Sequence, residues 1–276
     1  MSKLIKPQKD FKFKHSLGQN FLTDTNLLRA IVADSGVDNF DNVLEIGAGA
    51  GALTRELASV AKKVVSVEVD RSLMPTLDAL VAQHSNLSVV YADILRLKVE
   101  DIADFFDGEP FHVVANLPYY ITTPIIFYLL ESTLPVQSIT IMVQAEVADR
   151  IVANPGTKDY GAITPILQLY GQSKITRRVD RRMFTPAPNV DSAVVHLDVS
   201  KSDLTLILAI SRFIRHCFTM RRKTLINNLM HEYNINRTEL ENILVECDIP
   251  IGIRAEALTL PEFQKLFNNI KRYYTY

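Results

Sequence analysis

Apolar positions along the chain follow two rhythms, and the change comes near residue 200. Before it, short apolar runs of strand length alternate with stretches whose apolar positions recur at helical spacing. Val43–Ile46, Lys63–Glu68, Leu87–Tyr91, Val113–Ala115 and Ser138–Val143 read as strands. The helical stretches between and around them are Asn26–Ser35, Leu53–Ala61, Ser72–Gln83, Pro124–Glu131, Ala145–Val152 and Ile163–Tyr170. Strands alternating with helices predict a mostly parallel sheet. Ser173–Val179 and Ser192–Val199 read as a late hairpin pair that adds an antiparallel edge. The polar loop Asn154–Asp159, with its Pro-Gly pair, is expected to be mobile. After Ser200 no strand-like run remains, and helical periodicity covers Leu204–Phe218, Lys223–His231, Arg237–Glu246 and Pro261–Arg272. The pattern predicts an α/β domain over residues 1–200 and a small all-helical domain over 201–276.

Composition adds exclusions. With 276 residues, 47% hydrophobic and 22% charged, the chain is ordinary for a globular protein with one larger and one smaller domain. No run approaches the length of a transmembrane helix, and Met1–Lys6 lacks the apolar core of a signal peptide. A cytoplasmic protein without membrane contact is expected. Cys217 and Cys247 match no metal motif, the six histidines have no ligand spacing, and no metal is expected.

Charge is unevenly spread. Met1–His15 carries five lysines and one aspartate, a net +4, whereas Asp34–Pro110 carries 14 acidic and 6 basic residues, a net −8. Gly171–Val190 returns to +4, and Ser211–Lys223 holds five basic residues and no acidic ones. Basic blocks flanking an acidic half point to a polyanion held at the edges of the molecule. Arg221, Arg222 and Lys223, between two predicted helices, form a candidate phosphate clamp, with Arg177, Arg178, Arg181 and Arg182 as a second.

The chemistry gathers at the ends of predicted strands. Val43-Leu44-Glu45-Ile46 runs into Gly47-Ala48-Gly49-Ala50-Gly51, and a helix follows. A glycine loop between strand and helix lets backbone approach a ligand at the carboxyl end of a sheet. The spacing also fits a relaxed dinucleotide fingerprint. Glu45 points elsewhere, because a carboxylate there repels a pyrophosphate and suits an ammonium group such as that of S-adenosylmethionine. Glu68 ends the next strand, 21 residues after Gly47, where an acidic side chain accepts from ribose hydroxyls. Asp93 follows the third strand and could accept from an adenine amino group; either carboxylate could instead cap a helix or sit in a loop.

Asn116-Leu117-Pro118-Tyr119-Tyr120 ends the fourth strand. The exocyclic amine of adenine is a poor nucleophile because its lone pair is delocalised into the ring. Two acceptors facing its N–H groups, the Asn116 side-chain oxygen and the Leu117 carbonyl, would draw the nitrogen towards a tetrahedral shape. Pro118 stiffens the turn, and Tyr119 offers a face on which an extruded base can stack.

These stretches, with Ser16-Leu17-Gly18-Gln19-Asn20-Phe21-Leu22, Glu68-Val69-Asp70, Ala92-Asp93, Phe184-Thr185-Pro186-Ala187-Pro188-Asn189-Val190-Asp191-Ser192 and Arg221-Arg222-Lys223-Thr224-Leu225, resemble the small-subunit ribosomal RNA adenine dimethyltransferases over nearly the whole chain. The resemblance implies a Rossmann-like class I methyltransferase domain with a mostly parallel seven-stranded sheet, and a helical RNA-binding domain. It implies S-adenosylmethionine as methyl donor and dimethylation of two adjacent adenosines in a hairpin loop near the 3′ end of small-subunit RNA. The expected partner is that RNA within an immature 30S-type particle, and the enzyme is expected to be a monomer. By the same resemblance Asn20, Leu22, Gly47, Glu68, Asp93 and Asn116 contact the donor or line its pocket, and Phe184 is a second aromatic face opposite Tyr119. His15 departs from the family pattern, where a lysine or arginine is commoner, and this puts one phosphate contact in doubt. Three other readings remain: an assembly factor for which methylation is a checkpoint, a resistance methylase acting on large-subunit RNA, and an NAD enzyme. The long helical C-terminal part disfavours the second, and Glu45 disfavours the third.

Overall fold

The computed structural model describes residues 20–273. The basic arm, His15 and the Ser16–Gln19 part of the first motif lie outside the described residues. Two units divide the chain, one running to residue 148 and taking in 174–199, the other made of 149–173 and 200 onward. A single cut at residue 200 is therefore corrected.

The first unit is built on a seven-stranded sheet. In chain order its strands are β2 (Asn42–Ile46), β3 (Lys63–Glu68), β4 (Leu87–Tyr91), β5 (Phe111–Asn116), β6 (Val136–Gln144), β7 (Ser173–Val179) and β9 (Ser192–Asp198). They lie in the order β4-β3-β2-β5-β6-β9-β7. β2, β3, β4, β5 and β6 pair in parallel, and β9 runs antiparallel to β6. The late strand thus inserts between β6 and the edge strand β7. Parallel strands buried on both faces need continuous apolar runs, and every residue of β2 is buried. Four polar residues of β2 and β3, Asn42, Glu45, Ser66 and Glu68, are drawn in with their neighbours.

Helices α1 (Thr25–Ser35), α2 (Ala52–Ala58), α3 (Met74–Val81), α4 (Val99–Asp104) and α5 (Thr122–Leu130) accompany these strands. Asp24 caps α1 by accepting from the Leu27 amide at 2.9 Å, a contact typically worth about 1 kcal/mol. Leu28, Ile31 and Val32 of α1 join Val43, Leu57 and Val64 in one apolar core. A two-residue strand β1 (Phe21–Leu22) pairs antiparallel with β8 (Phe184–Thr185), apart from the main sheet. Strand order reverses between β2 and β5, neighbours in the middle of the sheet. Such a switch point leaves a crevice at the carboxyl ends of the strands.

After α6 (Ala145–Ile151), which spans the boundary between the units in sequence, the second unit is helical: α7 (Ile163–Tyr170), α8 (Leu204–Cys217), α9 (Leu225–Glu232), α10 (Arg237–Glu246) and α11 (Leu260–Ile270). α7 belongs here because it packs on α8 and α11, burying Ile166, Leu167 and Tyr170. Phe213 meets Phe267 at 5.7 Å between ring centroids, and Phe218 meets Phe263 at 6.0 Å. The Asn154–Asp159 loop is not loose as expected. Gly156 N donates to the Glu256 carbonyl at 2.8 Å, and Tyr160 Oη just beyond the loop donates to that of Leu258 at 2.7 Å. Among the described residues no helix is long and apolar enough to cross a membrane.

Candidate active site

A cleft of about 320 Å³ opens at the carboxyl ends of the central strands, within the range of small-molecule sites. Asn20, Gly47, Glu68, Asp93, Asn116, Leu117 and Tyr119 all line it, so five sequence-distant motifs converge on one crevice. Its apolar wall includes Phe21, Val69, Leu95 and Tyr120, to which the sequence reading assigned no role. Their signal was only proximity: each lies within two residues of a predicted site residue.

The glycine loop is shaped by what lies behind it. Gly49 has φ 54° and Gly51 φ 80°, both in the left-handed region. A Cβ on Gly49 would come within 2.9 Å of the Phe21 ring, and one on Gly51 within 2.9 Å of Leu80. Glycine at these positions lets loop and neighbours close up.

Glu68 holds that loop. Its Oε2 accepts from Gly49 N at 2.8 Å and its Oε1 from Asp70 N at 2.7 Å. The carboxylate is 6% exposed, and burial raises its pKa while the two amides oppose the rise. Each oxygen keeps spare acceptor capacity. Asp93 takes one of the roles weighed for it, the cap, and also lines the cleft. Its Oδ1 accepts from Leu95 N at 3.1 Å and so caps the short turn Ile94–Arg96, while the residue lines the cleft.

Glu45 lies elsewhere than expected. It is 0% exposed and does not line the cleft. It sits one residue before the end of β2 and accepts from the Ser66 hydroxyl on β3. Burial pushes its pKa up to about 7 against the pull of that bond. Direct contact with a ligand ammonium group is thereby corrected, because the pleat directs this side chain into the sheet's packing.

Asn116 ends β5, and its Nδ2 donates to the Asn20 carbonyl at 3.4 Å. That orients the amide and leaves Oδ1 without a partner among the described residues. Leu117 is 2% exposed yet lines the cleft. The Pro118 carbonyl is consumed by the turn, accepting from Ile121 N at 3.2 Å and from the Thr122 hydroxyl at 3.3 Å. No described donor takes the Leu117 carbonyl. Tyr119 lines the cleft with its hydroxyl 2.7 Å from Ser192 Oγ. Burial raises the phenol pKa and the Ser192 bond opposes it.

Two residues named from the family resemblance fall away from this wall. Leu22 and Phe184 are each 4% exposed, pair across the β1–β8 ladder and belong to the apolar core. Neither lines the cleft. Side chains alternate along a strand, so with Phe21 turned to the cleft, Leu22 is turned to the core.

In the second unit Arg221, Arg222 and Lys223 are exposed in the turn between α8 and α9. Buried Asn228 brackets them, accepting from Met220 N at 2.6 Å and donating to the Thr224 carbonyl at 3.3 Å. The alternative basic cluster is largely spent internally. Arg177 makes two bonds to Asp34 at 3.1 and 3.0 Å, Arg182 pairs with Asp180, and Arg181 donates to the Asn189 carbonyl. Among the described residues no group of histidine, cysteine and carboxylate side chains could hold a metal.

Residues 10–271 match the model of the family described as ribosomal RNA adenine dimethylase. The chain is 43% identical over 265 residues to ribosomal RNA small subunit methyltransferase A of Clostridioides difficile, covering 95% of this chain and 92% of that protein. The protein of the same name from Bacillus mycoides is 44% identical over 269 residues, covering 94% and 91%. Among solved structures, a dimethyladenosine transferase from Plasmodium falciparum superposes with a TM-score of 0.76 at 27% identity, over 91% of this chain and 98% of that one. The 23S rRNA methyltransferase ErmE gives 0.70 at 29% identity, over 91% and 100%.

Proposed function

The chain belongs to the ribosomal RNA adenine dimethylase family, and we propose that its cleft dimethylates two adjacent adenosines in a hairpin loop near the 3′ end of small-subunit ribosomal RNA. The small subunit is preferred as target because the relatives named for it are 43–44% identical, against 29% for the 23S enzyme. The reading includes a monomeric enzyme working in the cytoplasm on an immature small subunit, since that is where such an RNA loop is being assembled.

The residues fit S-adenosylmethionine. A loop with room for no Cβ at Gly49, an acceptor at the end of β3, a second after β4 and an apolar wall suit a nucleoside joined to an amino acid. When bound, this donor supplies an activated methyl group. Glu68 keeps the Gly49 amide fixed and offers its remaining lone pairs to ribose hydroxyls. Asp93 accepts from the adenine amino group, and Val69 and Leu95 cover the ring.

The observation that carries the target side is the contrast between neighbouring carbonyls. The turn uses up that of Pro118, while the Leu117 carbonyl and Asn116 Oδ1 have no described partner. Together they form a pair of acceptors for the two N–H groups of an adenine amine. Holding both N–H groups turns the nitrogen lone pair out of conjugation and towards the methyl. The methylated amine sheds its proton readily, so no strong base is required. Alignment and electrostatics do the work.

Tyr119 stacks on the target base. After one transfer a single N–H remains, so stacking must carry more of the alignment in the second. Tyr119→Ala removes roughly 1–3 kcal/mol of stacking, and monomethyladenosine should accumulate while donor affinity barely moves. Mass spectrometry of nuclease-digested RNA reads the ratio over time, and equal slowing of both steps without monomethyl build-up would defeat the stacking role.

Arg221, Arg222 and Lys223 bind RNA phosphates. Replacing all three by alanine should flatten the log–log salt dependence of RNA binding by roughly 2–3 units, as fewer counterions are released. Donor affinity should be unchanged. An unaltered slope would make the run ordinary solvated surface.

A further inference from the structure

The segment 189–192 is used by no step above, yet it ties down two parts of the first unit. Asp191 Oδ1 accepts from Arg181 N at 3.0 Å, and Arg181 Nη1 donates to the Asn189 carbonyl at 3.0 Å. Those bonds hold the turn Arg181–Met183 that leads into Phe184. One residue on, Ser192 Oγ meets Tyr119 Oη at 2.7 Å, across 73 residues of chain. Ser192 is fully buried at the start of β9. Its backbone already pairs with β6, opposite Gln144. The strand does not need the hydroxyl, since alanine would pair equally well. A buried hydroxyl does need a partner, and Tyr119 is the one it has among the described residues.

The bond restrains the ring at its far end. At its near end, Pro118 and the turn Tyr119–Ile121 set the backbone. Rotation about χ1 could still swing the ring between staggered positions. The tether at Oη lies on the ring's own axis, so it decides where the ring stands and leaves its tilt to the cleft walls.

We infer that Ser192 is a positioning residue for RNA methylation, holding Tyr119 where it stacks on the target adenine and so controlling passage from mono- to dimethyladenosine. This rests on the stacking role proposed for Tyr119. In the second transfer the amine keeps only one N–H, and a ring that wanders out of place costs most there. Specificity for the doubly methylated product thus depends on a hydroxyl buried in the sheet.

The test uses the full chain and its RNA substrate, with mono- and dimethyladenosine followed by mass spectrometry. Ser192→Ala should slow the second transfer about fivefold, the rate equivalent of one net hydrogen bond, and the first transfer less. Affinity for the demethylated donor product, read by calorimetry, should not change. Tyr119→Phe keeps the ring and removes the same bond from the cleft side, without touching the strand, so it should give the same product ratio. The double variant should be no worse than either single one. A residue that only packed β9 would lower the melting temperature and leave the ratio alone. Wild-type ratios in both single variants, or losses that add in the double, overturn the inference. If Ser192→Ala folds poorly, Tyr119→Phe decides alone. Tyr119→Ala separates the two levels: if it slows methylation while Tyr119→Phe and Ser192→Ala do not, only the tether is wrong. If Tyr119→Ala also has no effect, the stacking role itself has failed.

Discussion

Replacing Asn116 by alanine is expected to slow both methyl transfers by roughly 10²–10³-fold, the size seen when one preorganised hydrogen-bonding group is removed from an active site. Asn116 sits where β5 ends, and its amide orientation is set by the bond from Nδ2 to the Asn20 carbonyl. The Oδ1, without a partner among the described residues, is then preorganised and costs little to align when the base arrives. Without it, only the Leu117 carbonyl faces the amine, and the nitrogen lone pair stays in conjugation with the ring. Both steps suffer, in contrast to Tyr119→Ala. RNA binding should be unchanged, because the proposed phosphate contacts, Arg221, Arg222 and Lys223, are other residues. Single-turnover assays with labelled donor measure each step, and a loss smaller than tenfold would sink the two-acceptor account.

Glu45→Gln should stabilise the protein at pH 8 by up to about 3 kcal/mol and change little near pH 5. Burial pushes the Glu45 pKa up to about 7, from 4.5 when unperturbed. Between those values the native state holds a proton that the unfolded state has released. Stability from this group is therefore fully present below pH 4.5 and is lost as pH rises through about 7. Above that, folding must bury an ionised carboxylate, and glutamine avoids the cost while still accepting from Ser66. Urea melts of both proteins at pH 5 and pH 8 give the comparison. A difference that does not vary with pH would mean that Glu45 titrates normally. Since the residue lies two positions before Gly47, the same variant asks whether its ionisation matters to donor binding.

The elements themselves were legible because their causes are local. Continuous apolar runs can be satisfied only by burial on both faces, and they mark β2, β3 and β5 before any contact is known. The amphipathic spacing of α8, α10 and α11 likewise identifies a helical region after residue 200. The motif residues at strand ends were legible for a related reason. A parallel sheet puts every such end on one edge, so Gly47, Glu68, Asp93 and Asn116 had to meet.

What the chain by itself determined was therefore which residues stand at the ends of the strands and converge on the cleft. Tertiary structure decided which way each side chain faces and what it spends its bonds on. Glu45 reads as a ligand carboxylate, but the pleat buries it against Ser66. Leu22 and Phe184 became core because the β1–β8 ladder turns Phe21, not Leu22, towards the cleft. Arg177 looked like a phosphate contact until Asp34, 143 residues away in sequence, was found to hold it. α7 lies among the sheet elements in sequence yet buries its apolar face on α8 and α11. The Ser192 hydroxyl meets Tyr119 only when β9 is threaded beside β6 and Tyr119 arrives from another turn, so nothing near it in the chain forecasts that contact. Periodicity and propensity act over a few residues and can be read along the chain. Facing, pairing and tethering depend on which distant segment fills the space opposite, and that exists only once the sheet is assembled.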